Sequence, residues 1–106
     1  KKIKNLKYEN QELDFYVKEN LEKNTFFSKK KHKLTISNRF FLQPHEIVFR
    51  ALSKSIKLIG QRYYPVRGKK LDRIIGDIGN NRSFRATLGG CLIEKVNQTV
   101  IISKES

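Results

Sequence analysis

Three groups of residues in this chain have types and spacings that could do chemistry. The first is the pair Gly89 and Gly90, inside the closing stretch "SFRATLGGCLIEKVNQTVIISKES". A glycine pair can aim backbone amides at a phosphate, or it can let the backbone turn. A phosphate cradle needs a glycine-rich loop running from a strand into a helix N-terminus. Here strand-like sequence lies on both sides, so the pair is expected to be a bend or bulge between strands. The second group is cationic: Lys29, Lys30, Lys31 and Lys33 in "SKKKHK", then Arg50, Lys54 and Lys57, then Lys69 and Arg73. Grouped lysines and arginines are phosphate-gripping chemistry. Tyr63 and Tyr64, flanked by Arg62 and Arg67 in "QRYYPVRG", belong with them, because aromatic rings between cations can stack unpaired bases. Core packing of one of the two rings is the alternative.

The third group comprises the side chains that could ligate or react. His32 and His45 are separated by an expected strand and turn, with no further Cys or carboxylate at ligand spacing, so no metal site is expected. Cys91 opens an expected strand, where a small buried hydrophobe fits better than a nucleophile. Glu46, Asp72 and Asp77 are scattered on expected helices, where they balance nearby Lys or Arg rather than form an acid/base pair. No catalytic residue and no cofactor of the chain's own are expected.

Charge decides which chemistry dominates. The 106 residues carry 23 Lys and Arg against 10 Asp and Glu, a formal charge of +13. Such a field attracts polyanions, and nucleic acid is the leading partner class. Codon bias toward 16 Lys, 8 Asn and 11 Ile explains an excess of Lys over Arg better than it explains the net charge. The length suits one small domain. A single cysteine excludes an internal disulfide, and no apolar run approaches the ~18 residues of a membrane span. The expectation is a soluble, cytoplasmic protein without a membrane partner. The chain begins "KKIKNLKYEN", without Met and inside a helix-like pattern, which suggests a piece of something longer.

The elements that must position these residues follow from periodicity. Ile3, Leu6, Leu13, Val17 and Leu21 lie near one stripe of a helix over about residues 2–23, and residues 1–24 read as a connecting helix ahead of a binding domain over 25–106. Residues 25–37 read as a hairpin with a basic tip, and "NRFFLQ" as one helical turn. Pro44 suits the first position of a second helix over about 44–59. Val48, Ala51, Leu52, Ser55 and Ile59 are its core side, and Arg50, Lys54 and Lys57 form a cationic rail opposite. Gly60 is expected to end that helix in a left-handed conformation. "QRYYPVRG" follows as a linker, with Pro65 holding Tyr64 extended. A third helix over about 67–78 turns Leu71, Ile74, Ile75 and Ile78 inward and Lys69 and Arg73 outward, antiparallel to the second. Residues 84–88, 91–96 and 99–103 read as strands, the last two forming a hairpin about Asn97 and Gln98. The fold class is α+β: a small single domain of two or three helices with short antiparallel hairpins.

"QRYYPVRGKKLDRI", followed by "FRATLGGCLIEKVNQTVIISKE", resembles the region after the catalytic domain of bacterial tRNA(Ile)-lysidine synthases, especially alphaproteobacterial ones. Those have a Tyr-Pro-Pro-Arg-like segment, a basic amphipathic helix and a Thr-Leu-Gly-Gly-Cys-like strand pair. "LQPHEIVFRAL" is similar to the family's Leu-Pro-Pro-Glu-x-x-x-Arg helix start, and Val66 departs from the second Pro. The likeness covers about residues 34–103. It implies an enzyme that adenylates the wobble cytidine of the CAU anticodon of isoleucine tRNA with ATP, after which lysine displaces AMP. The family's ATP chemistry lies in an N-terminal domain with a Ser-Gly-Gly-x-Asp-Ser loop. Leu88-Gly89-Gly90-Cys91 has neither serine nor the aspartate, so ATP and lysine would be substrates of that other domain. This chain would be the tRNA-binding part, working beside the parent's own catalytic domain. The cations named above, from Lys29 to Arg73, would grip phosphates and position the anticodon loop. The alternatives are a free-standing RNA- or ribosome-binding module and a structural brace for a catalytic domain.

Overall fold

The computed structural model describes residues 6–61 and 68–105. Helix α1 (Leu6–Asn24) runs directly into strand β1 (Thr25–Ser28), which turns back as β2 (Lys33–Ile36). A 3-10 turn (Asn38–Leu42) leads to helix α2 (His45–Gly60), and helix α3 (Gly68–Asn80) precedes strands β3 (Ser83–Leu88), β4 (Cys91–Val96) and β5 (Thr99–Lys104). The fold is a small α+β domain, as the periodicities predict. The two expected hairpin regions join into one antiparallel sheet of order β1-β2-β5-β4-β3. The join is β2 against β5, with Leu34 opposite Ile102 and Ile36 opposite Val100.

Period-2 alternation gives this sheet two unlike faces. Leu34, Ile36, Leu88, Cys91, Ile93, Val100 and Ile102 point to one side and are buried. Phe26, Thr35, Ile101, Glu94 and Arg85 form a paired row across the other, where Phe26 is 70% exposed. Helix α2 packs over β2, β4 and β5, and α3 over β3. Ala51, Leu52, Ile56 and Ile59 of α2 and Leu71, Ile74 and Ile78 of α3 complete the core. Helix α1 joins it through Val17, which is 1% exposed, and packs against α2 and the 3-10 turn. Asn20 is buried there too; its Nδ2 donates to the Phe40 carbonyl at 3.3 Å while its Oδ1 accepts from Asn24 at 2.7 Å.

Two boundaries differ from expectation. Pro44 is the N-cap rather than the first helical residue, its carbonyl accepting from the amides of Ile47 and Val48. Gln61, not Gly60, takes the left-handed conformation, at φ 55°, and its amide closes on the Lys57 carbonyl. The reason Gly60 is glycine is proximity: a Cβ there would sit 2.1 Å from the Gly89 carbonyl oxygen. Gly60 is therefore the last helical residue, where α2 meets the β3–β4 turn. No described helix is long and apolar enough to cross a membrane.

Candidate nucleic-acid interface

Gly89 and Gly90 form the two-residue turn of the β3–β4 hairpin, with φ of 60° and 82° and Leu88 paired to Cys91 across it. Positive φ at both central residues matches the right-handed twist of the flanking strands and requires residues such as glycine. The expected bend is thus a tight turn, and no helix N-terminus follows it. Cys91 is buried, its Sγ 3.2 Å from the Ile56 carbonyl oxygen.

The histidines lie apart. His45 Nε2 is 2.9 Å from Asp72 Oδ1, so among the described residues Asp72 pairs with a histidine of α2 rather than with a Lys or Arg. His32 Nε2 is 3.2 Å from the Ile59 carbonyl oxygen and its ring meets Phe27 edge-on. Among the described residues no three His, Cys, Asp or Glu side chains group as metal ligands.

The cations fall in two regions. Lys29, Lys30 and Lys31 occupy the exposed four-residue turn between β1 and β2, and Lys33 opens β2 on the open face of the sheet. On the helices, Lys54, Lys57, Lys69 and Arg73 are exposed and make no ion pair with a described residue, while Arg50 is held by Glu46 at 2.8 Å. The i,i+4 pairing withdraws part of the Arg50 charge from the rail. His45–Asp72 and the approach of Gly68 to the Phe49 ring place the start of α3 beside the start of α2, with the contacts running in opposite senses along the two helices. Lys95 is spent structurally, its Nζ donating to the Ile78 carbonyl at 2.6 Å. Arg62, Tyr63, Tyr64 and Arg67 lie outside the described residues.

Sequence reasoning missed the partition of charge. Five of the 10 acidic residues, Glu9, Glu12, Asp14, Glu19 and Glu22, lie in α1 with only three lysines. From Thr25 onward 17 Lys and Arg face five Asp and Glu, a surplus of +12. Counting charge by element rather than over the whole chain would have found it. The field is directional: α1 is mildly acidic and everything after it is strongly basic.

No known family model, curated protein or solved structure matches the chain.

Proposed function

We propose that this chain is an RNA-binding domain that grips phosphates through the cations outside α1. The observation that carries the reading is the segregated charge, with exposed lysines on the β1–β2 turn and with Lys54, Lys57, Lys69 and Arg73 on α2 and α3 making no ion pair with a described residue. Salt-screened lysine–phosphate contacts supply most of the affinity in such interfaces and draw the polyanion in at long range. The finer proposal is that the RNA is isoleucine tRNA and the chain is the tRNA-binding part of a tRNA(Ile)-lysidine synthase. That proposal rests on the order of the quoted segments alone. A coding sequence upstream that contains the Ser-Gly-Gly-x-Asp-Ser loop would support it, and an upstream frame without that loop would remove it.

The binding reading is tested by fluorescence anisotropy with a labelled isoleucine tRNA transcript. Saturable binding at low salt is expected, and no binding at 50 mM salt would reject it. The brace reading finds support in α1, where Phe15 and Tyr16 pack edge to face at 5.3 Å yet are 57% and 50% exposed beside Glu12 and Glu19. An acidic, aromatic helix face repels RNA and suits a protein neighbour.

A further inference from the structure

Four segments far apart in sequence meet at one end of the molecule. His32 reaches from the β1–β2 turn to the last turn of α2; a carbonyl only accepts, so its Nε2 carries the hydrogen donated to Ile59. Gln61, capping α2, accepts through Oε1 from Lys104 Nζ at 3.5 Å, which ties the end of β5 to the same helix terminus. The Glu105 amide donates to the Gly90 carbonyl at 2.9 Å, and Gly60 lies against Gly89. Lys33 pairs in register with Ser103 on the open face of the sheet, whereas Lys104, opposite Cys91, projects from the helix-covered face on the side of α2. This end therefore gathers Lys29, Lys30, Lys31, Lys57 and Lys104, and within these segments Glu105 is the one acidic side chain.

We propose that this end is one continuous phosphodiester-binding surface and that His32 is its positioning residue. The proposal rests on the RNA-binding reading and deepens it by naming which cations act together. A lysine turn on a hairpin is otherwise an unfixed group of long side chains, which loses side-chain and loop entropy whenever it meets a ligand. His32 removes part of that cost by anchoring the turn twice. Its backbone takes the left-handed conformation at φ 53°, which histidine tolerates better than most residues, and its ring ties the turn to α2. The backbone that carries the tip lysines is thereby tied to the end of α2, the turn that carries Lys57. A phosphate backbone crossing this end would meet cations from the β1–β2 turn, α2 and β5 at once.

The test compares binding of an isoleucine tRNA transcript by the wild-type chain and three variants over a range of salt. His32→Asn preserves tolerance for positive φ but is too short to reach Ile59. The combined Lys29, Lys30, Lys31→Gln variant removes the tip charge, and Lys69, Arg73→Gln removes the cations of α3, away from this end. We expect the tip variant to make the log–log salt slope shallower by about two units, at ~0.7 to 0.9 per contact. His32→Asn should weaken binding about three- to tenfold while the folded spectrum is kept. A double-mutant cycle between Lys30→Gln and Lys104→Gln should show coupling with His32 present and none with His32→Asn. On the wild-type chain itself, added transcript should shift the amide resonances of residues 29–33, 57–61 and 103–105 together in an NMR titration. That last measurement decides the matter even if a variant misfolds. A slope changed by Lys69, Arg73→Gln but not by the tip variant, or shifts confined to α3, would overturn this surface while leaving RNA binding intact. Absence of binding by the wild-type chain would overturn both.

Discussion

Gly60 and Gly76 lie on neighbouring helices and carry opposite predictions. At Gly60 an added Cβ would meet the Gly89 carbonyl, a backbone atom that cannot move without breaking the β3–β4 turn. Gly60→Ala should therefore destabilise the domain by more than about 2 kcal/mol, seen as a lower midpoint in urea. At Gly76 nothing lies within 4 Å, the position is exposed, and alanine is the better helix former. Gly76→Ala should raise stability by roughly 0.5–1 kcal/mol. Equal effects at the two sites would refute the close approach of α2 to the turn. Gly90 has φ 82°, so Gly90→Val should cost roughly 1 kcal/mol or more. The contrast also shows what a sequence hides at this scale. A glycine ending a helical pattern reads as a cap, because the local pattern holds no trace of a carbonyl about 30 residues downstream. The His32 contact with Ile59 escaped for the same reason, since nothing local marks a ring that reaches another element.

The elements themselves were far more legible. Leu71, Ile74 and Ile78 recur at helical spacing and are buried, and the strand from Cys91 to Val96 begins and ends where alternation and turn residues place it. Such signals are local, set by the 3.6- and 2-residue periods. The pairing of β2 with β5 was not legible, because register between strands some 65 residues apart is settled by which apolar faces meet over α2. Helix α1 tests this scale. It reads as a connecting helix, yet Val17 is 1% exposed and lies in the same core as α2. Val17→Ala should lower stability by about 2 kcal/mol through lost burial and the cavity left behind. If residues 25–105 instead fold without help from α1, the unfolding midpoint of this variant will match that of the wild type.

At the scale of the whole molecule the claim is electrostatic. A domain with half of its acidic residues on one helix, while the residues from Thr25 onward carry +12, should bind RNA with one side and turn the other away. The total charge was plain in the composition; its direction needed the elements. Part of the candidate site, from Arg62 to Arg67, lies outside the described residues, and of the rest Arg50 is weakened by Glu46. The measurement that tests the account most directly is the affinity of the intact chain for an isoleucine tRNA transcript at several salt concentrations. With about four phosphate contacts, the plot of log affinity against log salt should fall with a slope near −3, at ~0.7 to 0.9 per contact. A slope near zero, with the protein shown to be folded, would contradict the account, because the cations would then be only a solvated surface.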